Sequence, residues 1–172
     1  FVIPYSVTSI GVDAFAGCTS LEQISISKTV KSIGNYAFNC CFKLSSIVIP
    51  EGVTTIGARA FYDCRNLQTV KLPSTLTSLK TSAFQGCKLL KEIEIPDSVT
   101  EIGRFALCNT FNLKSITLPA GLKYIGDKAF EESGIETIYF KGTKEQWKQV
   151  RIDQPWGTSY DIWLMEVGTV HC

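Results

Sequence analysis

The sequence predicts a β-rich repeat solenoid, and three regularities lead to that fold class. A large apolar residue, nearly always Phe after Ala, recurs at a fixed step of 23 residues: Phe15, Phe38, Phe61, Phe84, Leu107 and Phe130. Apolar residues alternate with polar ones at an equally fixed distance from each of these positions, and proline and glycine then follow in their own columns. Fixed periods of about 20–50 residues are typical of stacked units, in which each unit covers the apolar face of the next.

The regular part of the chain divides into six repeats and is followed by a divergent end. The repeats are residues 1–23, 24–46, 47–69, 70–92, 93–115 and 116–137, of which the last is one residue shorter. We therefore expect a repeat domain over 1–139 and a C-terminal capping unit over 140–172. Phe1 occupies the position that Ile47 holds in the third repeat, so we expect a piece of a longer protein, and the missing leader says nothing about location.

Composition excludes some classes of function. The 172 residues include 17 Lys and Arg against 16 Asp and Glu, which gives a formal net charge of +1. Nucleic-acid binding needs a clustered excess of basic residues, so we do not expect it. The sequence has no apolar run of about 18 residues, and we expect no membrane insertion.

Each repeat begins with a predicted strand. In the third repeat Ile47 and Ile49 stand two residues apart, and this period of two in mostly β-branched residues recurs in the other repeats, which is typical of a strand. Pro50 follows and ends the strand, because proline lacks the N–H that a ladder requires. The next apolar pair, Val53 and Ile56, predicts a second, shorter strand on the opposite wall.

A turn follows the second strand. Five repeats have glycine there, and we expect these residues to adopt positive φ, which costs glycine nothing: Gly11, Gly34, Gly57, Gly103 and Gly126. Lys80 replaces glycine in the fourth repeat, so that turn is expected to be strained or differently shaped. The Ala-Phe pair comes next and predicts a tight helical or 3₁₀ turn. We expect its Phe rings to form one internal ladder.

Four of the seven cysteines keep the 23-residue step, and small hydroxyl residues continue their column: Cys18, Cys41, Cys64, Cys87, Thr110 and Ser133. We interpret the column as buried, reduced thiols that bond to turn carbonyls. A linear row does not converge on the tetrahedral point that zinc requires. A disulfide would need two Cβ atoms pointing at each other, whereas stacking makes them parallel. Cys40, Cys108 and Cys172 fall outside the column, and their redox state stays open.

The sequence offers no catalytic constellation. His171, the only histidine, stands one residue from the end, so no nucleophile–histidine relay can be assembled with it. Glu92 and Glu94 are expected to share one strand face with Lys71 nearby, which we interpret as a solvated charge cluster in preference to a glycosidase pair. We therefore expect no enzyme activity, no cofactor and no metal.

The pattern changes from Ile138 onwards. Thr143 and Gln146 fit a capping box, which predicts a short helix through about Val150 that carries Trp147. Bulky residues follow: Ile152, Trp156, Tyr160, Ile162, Trp163 and Leu164. A solenoid must cover its last core layer, so we interpret this end as a cap. An aromatic platform for carbohydrate is the alternative.

These columns resemble a known family. The pattern L-x-x-I-x-I in residues 21–26 and 44–49 is similar to the strand motif of leucine-rich repeats. The surrounding I-P-x-x-V-T-x-I-G-x-x-A-F-x-x-C-x-x-L resembles the BspA-type, or Treponema pallidum-type, subclass over residues 1 to about 139. Residues 140–149 resemble a terminal unit of similar proteins from gut bacteria. Ser27 for Pro, Lys80 for Gly, and Leu107 for Phe with Cys108 displaced depart from the pattern and affect local geometry.

The resemblance implies a right-handed arc with a parallel sheet on its concave face, short second strands and 3₁₀ or helical turns. It also implies a secreted or cell-surface protein of a bacterium or a protozoan that serves adhesion. In this layout the residues flanking the strand isoleucines face outward on the concave side, and they are our candidate ligand-binding residues: Gln23, Ser25, Ser46, Val48, Thr69, Lys71, Glu92, Glu94, Ser115, Thr117, Thr137 and Tyr139.

We accordingly expect a non-catalytic extracellular binding or adhesion scaffold. Its ligands would be host or other cell-surface proteins, with glycans as the alternative class. Two other readings stay open. One is a structural spacer of a surface protein, and the other is an accessory region of a larger secreted enzyme.

Overall fold

The chain forms a parallel β-solenoid of about six turns, here called coils. A computed structural model describes residues 1–153. Its strands, in chain order, are β1 (Ser9–Ile10), β2 (Ser32–Ile33), β3 (Ser46–Val48), β4 (Thr55–Ile56), β5 (Thr69–Lys71), β6 (Ser78–Leu79), β7 (Glu92–Ile93), β8 (Glu101–Ile102), β9 (Ser115–Leu118), β10 (Tyr124–Ile125), β11 (Thr137–Phe140) and β12 (Arg151–Ile152). The helix α1 (Lys144–Trp147) lies between β11 and β12.

Two sheets form opposite walls of the solenoid. The first sheet contains β3, β5 and β7, and an isolated bridge between Glu94 and Thr117 leads on to the paired strands β9 and β11. The second sheet contains the two-residue strands β1, β2, β4, β6, β8, β10 and β12. The pairing is parallel and follows the repeat, since Ser46 faces Thr69 and Thr69 faces Glu92. The predicted short second strands are therefore confirmed.

The phenylalanine column forms the expected internal ladder. Phe38, Phe61 and Phe84 are fully buried. The rings of Phe38 and Phe61 are 5.1 Å apart between centroids and 4° from parallel, and those of Phe61 and Phe84 are 5.2 Å apart. Leu107 continues the column as a fully buried residue. The core is thus one continuous file of side chains that no single repeat could bury alone.

Three thiols of the cysteine column, Cys41, Cys64 and Cys87, are buried and hydrogen-bonded as predicted, whereas Cys18 in the first coil is exposed. The Cys64 thiol donates to the Phe38 carbonyl oxygen at 3.1 Å, and the Cys87 thiol donates to the Phe61 oxygen at 3.2 Å. Burial is the largest cause that raises the pKa of the Cys64 thiol well above its ordinary value, and it raises the pKa of Cys41 to about 12. Such thiols stay protonated near neutral pH and act as donors that link one coil to the preceding one.

The expectation of positive φ at the glycine column is wrong. Among the described residues the glycines with positive φ are Gly17, Gly52 and Gly86, none of which belongs to that column. The column needs glycine because neighbouring coils approach too closely for a side chain. A Cβ built on Gly57 would lie 2.4 Å from the Asn35 backbone nitrogen.

Positive φ occurs instead in two columns on either side of each Ala-Phe pair. In the third repeat these residues are Arg59, with a φ of 55°, and Asp63, with a φ of 57°. The left-handed conformation costs a non-glycine residue about 1–2 kcal/mol. Both residues also donate to the next coil, Arg59 N–H to the Thr81 oxygen at 2.9 Å and Asp63 N–H to the Gln85 oxygen at 2.7 Å. These bonds between coils offset the local strain. The left-handed residues on either side of each Ala-Phe pair keep the i to i+3 turns from continuing as a helix.

Lys80 coincides with a break in the second sheet. The strands β4 and β6 follow one another in the stack but do not pair, so this sheet divides into β1-β2-β4 and β6-β8-β10-β12. The reason lies in the missing glycine. At the equivalent position one coil later, a Cβ on Gly103 would lie 2.8 Å from the Thr81 backbone nitrogen. Lys80 carries such a Cβ, so we infer that it separates β6 from β4 locally, while one residue later Arg59 N–H still donates to the Thr81 oxygen at 2.9 Å. The turn keeps its internal bond, since Ala83 N–H donates to the Lys80 oxygen at 3.1 Å as Ala60 N–H does to the Gly57 oxygen at 3.3 Å, and Lys80 is not among the residues with positive φ.

The C-terminal unit continues the stack. The capping box is confirmed, since Thr143 N–H donates to Gln146 Oε1 at 2.8 Å and Gln146 N–H donates to Thr143 Oγ1 at 3.2 Å. The helix ends at Trp147, earlier than expected, because the chain enters β12, which pairs with β10. Trp147 packs edge-on against Phe140 at 5.1 Å. The remaining cap residues named above, Trp156, Tyr160, Ile162, Trp163 and Leu164, and also His171 and Cys172, lie outside the described residues.

We expect Phe61→Ala to lower the free energy of unfolding by about 3–5 kcal/mol, because it leaves a cavity in the middle of the ladder. Phe15→Ala is the matched control, since Phe15 is only partly buried at the first rung and should lose less. Urea unfolding followed by circular dichroism measures both. A loss below about 1 kcal/mol for Phe61→Ala would contradict an internal ladder.

We expect Gly57→Ala to lower the free energy of unfolding by about 1–3 kcal/mol, because the new methyl group overlaps the preceding coil. Gly11→Ala is the control, as its Cβ would meet nothing within 4 Å. The same urea experiment compares the two variants. Equal stability of both would show that close approach between coils is not what requires glycine.

We expect iodoacetamide at pH 8 to alkylate Cys18, which is exposed, and to leave Cys64 and Cys87 unmodified in the folded protein. Mass spectrometry before and after unfolding in urea measures this, and labelling of Cys64 as fast as of Cys18 would contradict the burial.

The raised pKa values of the buried thiols also predict how the free energy of unfolding depends on pH. Their stabilising contribution is complete below the ordinary pKa of 9.0 and declines above it, where the thiols ionise only in the unfolded chain.

Candidate binding site

A groove of about 890 Å³ lies over the outer face of the first sheet. We call it the sheet groove. It extends from β3 to β9 and includes the turns that follow the strands. Its lining residues are Ser46, Ile47, Val48, Glu51, Thr69, Val70, Lys71, Leu72, Ser74, Lys91, Glu92, Ile93, Glu94, Pro96, Asp97, Ser98, Ser115, Thr117 and Lys141. Its volume is in the usual range for ligand sites in proteins.

The alternation of the strands explains the floor of the groove. In β5 the central Val70 is buried, whereas Thr69 and Lys71 are exposed on the other side. The same order holds in β3, where Ile47 is buried between two exposed residues. Because successive side chains of a strand point to opposite faces, each of these three-residue strands contributes one residue to the core and two to the floor.

The floor carries charged side chains without ionic partners. Lys71, Lys91, Glu92 and Glu94 are exposed, and among residues 1–153 none of them forms an ion pair within 4 Å. Thr69 stands opposite Glu92 in the ladder, and Thr117 stands opposite Glu94. The centre of the floor therefore combines two cations, two carboxylates and flanking hydroxyl groups.

The rim of the groove uses its charges internally. Lys141 Nζ lies 2.7 Å from Asp97 Oδ1, although 44 residues separate them in sequence. The coil between these two carries the exposed Ala120 after its proline. On the same rim a Glu51 carboxylate oxygen accepts the Ser74 hydroxyl at 2.8 Å. These contacts hold the rim while the floor stays available.

Eight of the twelve sequence-predicted residues line the sheet groove: Ser46, Val48, Thr69, Lys71, Glu92, Glu94, Ser115 and Thr117. Four lie beyond its ends, namely Gln23 and Ser25 on one side and Thr137 and Tyr139 on the other. The structure adds rim residues that the sequence reasoning missed. Glu51, Ser74 and Asp97 each directly follow a residue of the proline column, which is the signal that could have found them.

Two other kinds of feature are not found in the described part of the chain. Residues 1–153 contain no group of three or more His, Cys, Asp and Glu side chains that could hold a metal ion. In the same range no helix is both long enough and apolar enough to cross a bilayer. The glycosidase reading of Glu92 and Glu94 gains no support from the groove, because both side chains are exposed on an open floor.

Comparison with known proteins identifies the family. The model of the BspA-type leucine-rich repeat region matches residues 1–90 and 32–150, with six copies. The chain belongs to the BspA-type leucine-rich repeat family. The first and second sheets are the two walls of its repeats, and the sheet groove lies on the wall formed by the leucine-rich strand motifs. No curated protein sequence matches the chain.

Solved structures of bacterial leucine-rich repeat proteins share the fold. A leucine-rich repeat protein from Bacteroides ovatus is 38% identical, with a TM-score of 0.77 over 80% of this chain and 36% of its own. The pneumococcal vaccine antigen PcpA is 25% identical, with a TM-score of 0.63 over 80% of this chain and 36% of its own. A leucine-rich cell surface protein from Faecalibacterium prausnitzii is 22% identical, with a TM-score of 0.59 over 89% and 62%, and shows the fold alone. The chain thus spans little more than a third of the first two relatives.

Proposed function

We propose that this chain is a non-catalytic binding module of a secreted or cell-surface bacterial protein, and that its sheet groove binds protein ligands. The observation that carries the proposal is the groove itself, about 890 Å³ in volume, with unpaired charges on its floor. Unpaired, solvated charges beside hydroxyl groups are suited to polar recognition, because a partner can meet them without first breaking internal ion pairs.

The fold supports this proposal through its rigidity. Each floor residue stands on a strand whose backbone is bonded to its neighbours, as in the pairing of Ser46 with Thr69. A surface fixed in this way loses little conformational entropy on binding, so weak contacts can add up along the stack. The family relationship adds a second support, since one structural relative is described as a cell surface protein and another as a vaccine antigen.

The chemistry of the described residues favours binding over catalysis. The buried titratable groups of the cysteine column donate to carbonyl oxygens of the preceding coil, as Cys64 does to Phe38. Such thiols are protonated and closed off from solvent, so they are poor nucleophiles. Histidine, the commonest general base, is not found among residues 1–153.

We expect Thr69→Arg with Ser115→Arg to weaken ligand binding by about tenfold or more, because two long side chains would fill the floor of the groove. Purified host extracellular-matrix and epithelial surface proteins serve as the ligand panel, measured by biolayer interferometry. Thr55→Arg with Thr77→Arg is the matched control, which adds the same charge at exposed positions on the second-sheet side.

A partner that binds the wild type and the control but not the groove variant supports the proposal. Equal binding by the groove variant would move the site elsewhere on the surface. Failure of every panel protein to bind would favour the structural spacer. An effect seen only when a neighbouring catalytic domain is present would favour the accessory region of an enzyme.

A further inference from the structure

We infer that the occupant of the sheet groove is an extended peptide segment of a protein partner, with an acidic and a basic side chain placed in a fixed order. This inference rests on the proposed binding function and makes the ligand class specific. It is carried by three features of the groove: its dimensions, the sequence of charges along its floor and the absence of aromatic side chains from its lining.

The dimensions favour an extended chain. The groove crosses the four strands β3, β5, β7 and β9, which at about 4.8 Å per strand gives about 14 Å between the outermost two. This length accommodates about four or five residues of extended peptide at about 3.3 Å each.

The charge of the outward row changes sign from Lys71 to Glu94 on the next coil, while Lys91, which also lines the groove, lies just before the two glutamates. Lys71 ends β5, whereas Glu92 begins β7 and Glu94 follows it, so a cation on one coil adjoins two carboxylates on the next. These side chains form no ion pair among the described residues, in contrast to Asp97 and Lys141 on the rim. A peptide with an acidic side chain at Lys71 and a basic one at the glutamates would complement both. Alternate residues of an extended chain lie on the same face about 6.6 Å apart, so their side chains can reach charges on two neighbouring coils.

The backbone and the lining composition narrow the mode of binding. The strands of the floor have neighbours on both sides in the stack, as β5 has in β3 and β7, so a peptide cannot bind there by adding a strand. Recognition must therefore use side chains, which here are charges and the hydroxyls of Thr69, Ser115 and Thr117.

The lining of the groove also bears on glycans as ligands. Sugar rings are commonly bound by stacking on aromatic side chains, and no aromatic side chain lines the groove. The peptide is thus favoured over the glycan.

The test selects peptides from an immobilised library of random synthetic heptapeptides, using the 172-residue chain as the binding protein. The variant Lys71→Glu with Glu94→Lys exchanges the two charges and keeps the net charge. The control, Lys123→Glu with Glu101→Lys, makes the same exchange at exposed positions beside the second sheet. Affinities of selected peptides are measured by fluorescence anisotropy at two salt concentrations, because exposed charge pairs weaken as salt rises. A glycan array is probed in parallel.

We expect the wild type and the control to select peptides with an acidic and a basic residue two positions apart and always in the same order. The exchanged variant should bind these peptides about tenfold more weakly and should select the reverse order. Selected peptides that are neutral or of one sign, an unchanged preference after the exchange, no selected peptide, or binding to glycans alone would each overturn the inference. Loss of a protein partner in the groove-filling variant, without any effect of the charge exchange, would leave the proposed function standing and remove only this inference.

Discussion

The direct stacking of equivalent residues is the constraint on which the rest of the structure depends. Each coil bonds to its neighbours through its strands and through the turns around Phe61, whose N–H donates to the Ala83 oxygen at 2.9 Å. The same spacing sets the 5.1 Å between the rings of Phe38 and Phe61. It also leaves no room for a Cβ on Gly57. Large residues inside and absent side chains at the turn are thus two consequences of one repeat distance.

The stack tolerates local strain because bonds between coils compensate for it. Arg59 and Asp63 hold left-handed backbone conformations without being glycine, and each donates a hydrogen bond to the next coil. Where a residue departs from the repeat pattern at the turn between coils, strand pairing between those coils can be lost. Lys80 accompanies the lost pairing of β4 with β6, while the first sheet still joins β3 to β5 across the same junction. Redundant contacts on several walls let the solenoid absorb one defect.

The outer positions are free to vary because stacking places no demand on them. Core positions such as Val70 and Ile93 are nearly interchangeable apolar residues, whereas the floor changes from Val48 to Lys71 to Glu94 on successive coils. Individual character of this BspA-type chain therefore lies in the sheet groove. The paired Asp97 and Lys141 fix its rim, and the unpaired floor charges give it a direction along the stack.

The sequence by itself determined the period, the core columns, the thiol donors, the capping box and the outward rows that contain Lys71 and Glu94. Each of these follows from contacts within a repeat or between identical positions, which a period of 23 reveals. Only the tertiary structure decided why Gly57 is glycine, where the second sheet breaks, that the helix ends at Trp147, and that Lys141 reaches Asp97 to form a rim. These depend on distances between different positions of neighbouring coils, and those distances are set by the packing of the whole stack.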